Sequence, residues 1–354
     1  MSDILSWRLA WLEGSPLPSA PLSTGISLRR NLRRLPFPPR ARGVELQEFA
    51  DEVRDLLGSV PLLPGFLCLP LKQLGPLQRD LLRERRELHV AENADVAETL
   101  LVVEESGTLS LTMNDEDHLR FQALLPGLAL EEALSEVMRL ERGMERLGYA
   151  FDETLGYLTA RGSDVGTGLR CAVTLHLPAL TLTGALEKVT GPLVKEGMRI
   201  YPLEGESFRD ASGAGRQMSR DGAALYDISY QATLGLSEGE IVERIHAFVA
   251  ALRNEEFRVR ELILAHQKGP LDDLCWRSYG VLRYARHLPL GEALRFLSVV
   301  RLGEELDILP SLGDGAWKRL LVGALPAHVR ARGGDGGEER SRATFLRETL
   351  PFRR

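Results

Sequence analysis

A glycine-rich stretch from residue 156 to residue 178 delivers an arginine into an apolar strand. Gly166 and Gly168 permit backbone conformations and close approaches that a Cβ atom would prevent, so this turn can bring backbone N–H groups close to an anion. Alternating apolar and polar residues from 171 to 176 predict a strand directly after the turn. Arg170, held where that strand begins, carries the planar fork that binds phosphate oxygens in pairs. Taken alone, the pattern also fits a tight loop with a surface arginine.

A second chemically distinctive run, Asn114 to Arg120, contains three acidic residues, a histidine and an arginine. It follows a predicted hairpin in which residues 98–103 and 109–113 form strands on either side of a turn. On its own, this run fits a solvated acidic turn. Glu206 lies in a later glycine-containing segment, where an exposed loop glutamate is the simplest interpretation.

The bulk composition is that of an ordinary globular protein. The chain has 354 residues, 44% of them hydrophobic and 27% charged, which predicts about two domains with a substantial core. A net charge of −6 argues against general nucleic-acid binding. No apolar run is long enough to span a membrane, and the N-terminus lacks the pattern of a signal peptide. Three widely spaced cysteines predict neither disulfides nor a metal site and fit a reducing cytoplasm.

The order of predicted elements favours an α+β fold around an antiparallel sheet. Residues 14–25 are rich in Ser, Pro and Gly and predict an extended arm that leads into the first core strand. Helical spacing marks residues 44–58 and 129–148. From residue 237 onward helices predominate, beginning with a capping box at Ser237 and Glu240, which predicts a separate helical domain.

Six stretches occur in the order in which one family uses them, and together they span nearly the whole chain. They are Arg30 to Leu32, Asn114 to Arg120, Gly156 to His176, Tyr226 to Gly235, Arg277 to Gly280 and Leu325 to His328. In these residues the chain resembles the guanidino phosphotransferases, most closely the bacterial protein-arginine kinases. The resemblance implies an eight-stranded antiparallel sheet flanked by helices, and transfer of the γ-phosphoryl group of ATP, with Mg²⁺, to a guanidinium nitrogen.

The same resemblance divides the chain into three parts. Residues 1–22 would form an N-terminal helix and arm, residues 23–236 the catalytic domain, and residues 237–354 an all-helical C-terminal domain for dimerisation and regulation. The implied partners are ATP, arginine-containing protein substrates and a second copy of the chain, with no nucleic acid and no membrane.

Particular residues inherit roles from the resemblance. Arg120 and Arg170 would contact phosphate groups, and Glu206 would be the acid–base carboxylate. The implied nucleotide-binding set is Ser23, Thr24, Ser27, His89, Arg120, Arg170, Cys171, Ala172, Val173, Thr174, Tyr201 and Gly205. His89 equally fits a surface helix, and Cys171 equally fits a small buried apolar residue. No metal ligands of the protein's own are predicted.

The chain departs from the family pattern at several functional positions. Gly25 and Ser27 stand where the family has two nucleotide-gripping arginines, and Tyr201 replaces a third. Arg161 stands in place of a reactive cysteine, and the Pro-Thr-Asn that follows it in the family is here Gly-Ser-Asp, ending at Asp164. A cation at position 161 could pair with phosphate or repel the incoming guanidinium. An insertion from residue 209 to residue 222 enlarges the loop expected to close over the substrate.

The C-terminal helix departs in a similar way. The family's Arg-Asp-x-x-Arg-Ala motif binds phosphoarginine, whereas this chain has a degenerate version formed by Glu338, Glu339, Arg342 and Ala343. A carboxylate in place of the first arginine would weaken such a site. The alternative is a plain charged helix.

Three hypotheses on function follow. The first is an active protein-arginine kinase. The second is a catalytically impaired pseudokinase that serves as a binding or regulatory subunit in protein quality control. The third, an enzyme that acts on a small guanidino metabolite, has less support, because the helical C-terminal region resembles the protein-directed family. Two observations discriminate: whether Arg120 and Arg170 converge, and whether an arginine fills the space at Gly25 and Ser27.

Overall fold

A computed structural model describes most of the chain. The described residues are 4, 9–13, 21–59, 65–90, 96–104, 106–203, 222–230, 235–313, 315–333 and 336–350. Glu206, Gly205 and residues 209–221 of the predicted insertion lie outside them. Within the described residues, no helix combines the length and apolarity needed to cross a bilayer.

The predicted α+β fold is confirmed. Eight strands form one antiparallel sheet in the order β2-β3-β4-β5-β1-β8-β10-β9, and β6 and β7 form a separate small hairpin. The strands are β1 Ser23–Arg30, β2 Phe66–Pro70, β3 Leu100–Glu104, β4 Leu109–Met113, β5 Leu119–Pro126, β6 Phe151–Asp152, β7 Gly156–Tyr157, β8 Leu169–His176, β9 Met198–Pro202 and β10 Leu225–Tyr230. The hairpin predicted around residues 104–108 is β3–β4. The first strand already begins at Ser23, so the predicted arm is too long at its end by three residues.

Ten helices surround the sheet among the described residues. They are α1 Gly43–Ser59, α2 Pro76–Glu84, α3 Leu130–Gly143, α4 Pro178–Thr183, α5 Leu186–Lys195, α6 Glu238–Tyr284, α7 Leu290–Glu305, α8 Ala316–Gly323, α9 Pro326–Arg332 and α10 Glu338–Thr349. The capping box is present at the start of α6, where the Glu240 N–H donates to Ser237 Oγ and the Ser237 N–H donates to the Glu240 carboxylate. The helix predicted over 129–148 ends at Gly143, because a 3₁₀ turn over Glu145–Leu147 follows it.

The two faces of the sheet have opposite characters, because successive side chains of a strand point to opposite sides. The helix-covered face, which includes Ile26, Leu28 and Val173, packs in the main hydrophobic core beneath α3 and α6. The polar face carries the odd-numbered residues of β1 and the even-numbered residues of β5 and β8, among them Arg120 and Arg170. Part of this polar face lies beneath α2 and α9, and on the remainder Gly25 and Arg170 are partly exposed.

Candidate functional site

Three arginines from three neighbouring strands converge on the polar face. Arg29 of β1 lies directly opposite Arg120 of β5, and Ser27 of β1 lies opposite Arg170 of β8. Antiparallel register therefore places Arg29 between the other two, although they are far apart in sequence. The backbone N–H of Arg29 also donates to Gly168 O at 3.0 Å, which fixes the start of β8 against β1.

The pKa values of Arg29 and Arg120 are lowered by burial and by the neighbouring positive charges. Burial, with Arg29 next in importance and Arg170 also contributing, lowers the pKa of Arg120 to about 9. Burial and then Arg170 lower the pKa of Arg29 as well. A cluster of buried cations is costly unless an anion joins it, so the arrangement favours a polyanionic ligand.

Arg120 is the least satisfied member of the cluster. Its Nη1 donates to His89 O at 3.3 Å and its Nη2 to Gln122 Oε1 at 3.4 Å, and both of these oxygens are neutral. Its Nε is buried without a hydrogen-bond partner, and no carboxylate among the described residues lies within ion-pair distance. Buried donors are nearly always satisfied in folded proteins. Arg120 Nε is therefore a buried donor without an acceptor among the described residues.

Asp164 forms ion pairs with the other two arginines, Arg29 and Arg170. Arg170 donates to both of its oxygens, through Nε at 3.0 Å and Nη2 at 3.1 Å, and Arg29 forms a further ion pair with it through Nη1. Asp164 is buried at the end of a short 3₁₀ turn over Gly162–Asp164. A negative charge of the chain itself thus sits where phosphate oxygens would compete for the same donors.

One asparagine ties together three segments that were singled out in the sequence. The Asn31 Nδ2 donates to Asp117 Oδ1 at 2.6 Å and to Leu158 O at 3.2 Å. Its Oδ1 accepts the His118 N–H at 3.0 Å. These bonds join the end of β1, the acidic run and the glycine-rich loop. The three segments are far apart in the sequence but in contact in the folded protein.

Glu116 is a site residue that sequence reasoning did not single out. Its Oε1 accepts hydrogen bonds from Arg161 Nε at 2.9 Å and from Arg161 Nη2. Both side chains are partly exposed, whereas the arginine cluster behind them is mostly buried. The available signal was its place in the run from Asn114 to Arg120. Glu206, to which the family resemblance assigned the carboxylate role, lies outside the described residues.

An arginine reaches the region that Gly25 and Ser27 leave without long side chains. Arg86, in the segment after α2, donates through Nη1 to Thr174 Oγ1 at 2.6 Å and Ser23 Oγ at 3.3 Å. Its Nη2 pairs with Asp227 Oδ2 at 2.8 Å. Its φ of 65° is unusual for a residue with a Cβ and shows that the surroundings hold it in place.

Space remains directly above Gly25. A Cβ atom at that position would meet nothing closer than Leu124 Cδ1 at 3.6 Å. Arg86 thus lies over Ser23, two residues before Gly25 in β1.

Several predicted nucleotide-binding residues do lie on the polar face. Ser23, Ser27, Ala172 and Thr174 flank the arginines, and Tyr201 lies opposite Asp227 on the outer strands. His89 lies outside any helix and is half-buried, with a hydrogen bond between its Nε2 and Arg86 O, so the surface-helix interpretation is wrong. Burial, Arg120 and Arg86 lower its pKa well below the ordinary value, which keeps the ring neutral.

Three others point away, which corrects the prediction for their side chains. Thr24, Cys171 and Val173 belong to the helix-covered face because of the period-two alternation of strands. The Thr24 Oγ1 accepts from the Ala129 N–H and donates to Gly127 O, so it fixes the turn before α3. Burial raises the pKa of the Cys171 thiol, and this side chain is a buried apolar residue.

The residues of the degenerate C-terminal motif form hydrogen bonds and ion pairs with other parts of the helical region. Arg342 is buried and donates to Ala324 O at 2.7 Å and Leu288 O at 3.0 Å. Glu338 lies 3.6 Å from the guanidinium groups of both Arg342 and Arg330. Ala343 is buried, and Glu339 O accepts the Leu288 N–H. These contacts connect α10 to its neighbours and do not present Arg342 to a ligand.

Comparisons with known proteins match both halves of the chain to one family. Residues 48–259 match the ATP:guanido phosphotransferase C-terminal catalytic domain, and residues 268–353 match the protein-arginine kinase McsB C-terminal domain. The protein-arginine kinase of Moorella thermoacetica is 35% identical over 359 residues, which cover 99% of each chain. That of Brevibacillus brevis is 34% identical and covers 96% of this chain and 94% of its own.

Solved structures share the fold. Lombricine kinase superposes with a TM-score of 0.55 at 21% identity, covering 72% of this chain and 73% of that chain. A duplicated taurocyamine kinase from Schistosoma mansoni, solved with transition-state analogue components, gives a TM-score of 0.55 at 20% identity and covers 78% of this chain and 39% of that chain.

Proposed function

Because this chain belongs to the protein-arginine kinase family, we propose that it transfers the γ-phosphoryl group of ATP to arginine side chains of other proteins. The observation that carries the proposal is the convergence of Arg29, Arg120 and Arg170, with a buried Arg120 Nε that lacks a partner. Phosphoryl transfer depends on such fixed cations, because charge accumulates on the phosphoryl oxygens during the reaction.

The proposed chemistry needs both an acceptor site and a proton acceptor. A guanidinium nitrogen attacks the γ-phosphorus, the bond from phosphorus to the bridging oxygen of ADP breaks, and a proton leaves the nitrogen for a carboxylate. Among the described residues, Glu116 fits this role, because it is partly exposed beside the arginine cluster and already binds a guanidinium. Glu206 remains a second candidate on sequence grounds.

ATP enters as its magnesium complex in this proposal. The described residues contain no group of three or more His, Cys, Asp or Glu side chains arranged to hold a metal ion. In this proposal the phosphate groups of the nucleotide carry the magnesium, while the arginine cluster and Thr174 line the face on which the nucleotide lies.

A specific observation favours a second candidate, a catalytically impaired relative with a binding or regulatory role in protein quality control. Asp164 forms ion pairs with Arg29 and Arg170, and Arg161 forms one with Glu116. Side chains of the protein itself therefore compete with ATP for the arginines and with the acceptor arginine for Glu116. Such a protein would bind Mg-ATP or an arginine-bearing partner without turnover.

We also propose a homodimer formed through the C-terminal helical region. Phe257, Leu262, Trp276 and Tyr284 are all exposed large apolar side chains along α6, a composition typical of contact surfaces. Sedimentation equilibrium at micromolar concentration tests this, and a monomer there would contradict it.

We propose further that the protein works in a reducing compartment such as the cytoplasm. Its three cysteines are free, which suits such a compartment.

Labelled ATP and an arginine-rich unfolded protein test the activity directly. Transfer of label into an acid-labile, alkali-stable phosphoramidate is the expected result, with Arg170→Met expected to lower the rate by about 10³-fold. Arg139→Met removes an exposed arginine of α3 and is the matched control. Absence of phosphoramidate at high enzyme concentration, together with measurable Mg-ATP binding, would favour the impaired relative instead.

A further inference from the structure

The guanidinium of Arg161 binds the carboxylate of Glu116 at the edge of the arginine cluster. Two donors, Nε at 2.9 Å and Nη2, converge on the same oxygen, Oε1. The side chains are 39% and 32% exposed, so an external group has access to the pair. This is the arrangement that an arginine acceptor would make with a carboxylate of the enzyme.

The backbone around Arg161 is held so that its side chain faces Glu116. The Arg161 carbonyl accepts hydrogen bonds from Thr159 Oγ1 at 2.7 Å and from the Asp164 N–H at 3.0 Å. The preceding residue, Ala160, donates its N–H to Asp117 Oδ1 at 2.7 Å, directly beside Glu116 in the chain. The loop is therefore fastened to the acidic run at Ala160 and braced by its own hydrogen bonds around Arg161, and the ion pair forms with little further loss of freedom.

Glu116 lies within electrostatic reach of the arginine cluster. Burial is the main influence on the pKa of Arg29 and of Arg120 and lowers both, while Glu116 is among the carboxylates that act in the opposite direction. The carboxylate thus lies near the proposed phosphate-binding arginines and is itself partly exposed.

We propose that Arg161 is an internal pseudosubstrate, which competes with the arginine side chain of a protein substrate for Glu116. The proposal rests on the proposed function, because it assigns the acceptor position of that same site. When Arg161 is paired with Glu116, which we call the closed arrangement, the acceptor position already holds a guanidinium. The arginine of a substrate must displace it. An ion pair with this degree of exposure adds little to folding stability, so its main effect is on what Glu116 can bind.

The size of the competition follows from the exposure of the pair. A partly exposed ion pair of this type favours the closed arrangement by a factor of roughly five. About one molecule in six is then open, and the apparent dissociation constant for an external arginine rises about sixfold.

Calorimetric titration with a short blocked peptide that contains one arginine tests the proposal without nucleotide or turnover. We expect Arg161→Gln to bind this peptide about sixfold more tightly than the wild type. Arg161→Lys keeps a cation that can pair with Glu116 and should stay within about twofold of the wild type. The matched control is Arg139→Gln, which breaks an exposed ion pair on α3 and should change nothing.

A double variant identifies the shared binding point. Adding Glu116→Gln to Arg161→Gln should abolish the gain, and a peptide with lysine in place of arginine should show no gain in any variant. Circular dichroism verifies that each variant is folded. Equal peptide affinity of the wild type and Arg161→Gln, or a gain that survives Glu116→Gln, would overturn the proposal.

The peptide titration and the phosphoramidate assay distinguish failure of the pseudosubstrate proposal from failure of the proposed function. If the proposed function fails, no variant forms phosphoramidate from labelled ATP, but the peptide titration still reports whether Arg161 competes for Glu116. If only the pseudosubstrate proposal fails, phosphoramidate forms while Arg161→Gln leaves peptide affinity unchanged.

Discussion

Arg120→Met is expected to make the ligand-free protein more stable and to remove its response to Mg-ATP. Arg120 is buried among other cations, and burial, with Arg29 next in importance, lowers its pKa from the ordinary arginine value to about 9. The side chain keeps its proton at pH 7, so the folded protein bears a cost of about 5 kcal/mol for holding the charge, at 1.36 kcal/mol per pH unit. Methionine preserves most of the volume and carries no charge.

Two compensating losses reduce the expected gain. The variant forfeits the hydrogen bonds to His89 O and Gln122 Oε1, each of which is long and worth about 1 kcal/mol. Altered packing costs about 1 kcal/mol more. We therefore expect the free energy of unfolding to rise by about 2 kcal/mol in the absence of nucleotide.

The sign of the pH dependence provides a second check. In the unfolded chain the pKa of Arg120 has its ordinary high value, whereas in the folded protein burial lowers this pKa to about 9. The unfolded state therefore binds more protons between these two pKa values, and the penalty on the wild type shrinks as pH rises through this interval. The advantage of Arg120→Met should be constant below pH 8 and smaller by about 1 kcal/mol at pH 10.

Urea denaturation followed by tryptophan fluorescence measures all of these quantities. At a nucleotide concentration 100 times its dissociation constant, Mg-ATP should stabilise the wild type by about 2.7 kcal/mol. It should stabilise Arg120→Met by less than about 0.5 kcal/mol, while Arg139→Met, an exposed control, should resemble the wild type. A ligand-free Arg120→Met protein that is less stable than the wild type, or one that keeps the full Mg-ATP response, would refute this reasoning.

Three further variants test the support of the site. Gly168→Ala should lower the free energy of unfolding by about 2–4 kcal/mol in urea, because φ is +66° there and the new Cβ would lie 2.6 Å from a backbone oxygen of β1. Gly162→Ala, whose Cβ meets nothing within 4 Å, is its near-neutral control. Asp164→Asn should raise Mg-ATP affinity about tenfold in calorimetry, since a neutral side chain no longer competes for Arg170; weaker binding would contradict this. Glu84→Ala should cost about 3 kcal/mol, because its buried carboxylate accepts the first N–H groups of α9; a loss under 1 kcal/mol would contradict it.

The order of motifs along the chain was sufficient to predict the sheet, the helical C-terminal region and the family. The local signals are strong at the start of α6, where Ser237 and Glu240 form the predicted capping box, and over residues 44–58, which lie within α1. The convergence of Arg120 and Arg170 was also predictable, because matching motifs imply the same strand register. The functional roles of the site residues remain predictions that the variants above would test.

The partners of the arginines could not be inferred from the sequence. The sequence presented Arg161 as a cation that would pair with phosphate or repel a guanidinium, and the structure pairs it with Glu116, 45 residues away. Arg86 reaches Asp227 across 141 residues and stands near the vacancy at Gly25. Neither contact has a local pattern that predicts it.

The sequence by itself determined which residue types alternate along each strand, and hence that Arg170 and Cys171 lie on opposite faces of the same strand. Only the tertiary structure decided that Asp164 pairs with both Arg29 and Arg170 and that Arg120 is left with neutral partners. The physical reason is that strand periodicity is a local property of the backbone. Pairing between buried charges depends on the register of distant segments and on differences of an ångström in side-chain position, to which the energy of an ion pair is highly sensitive.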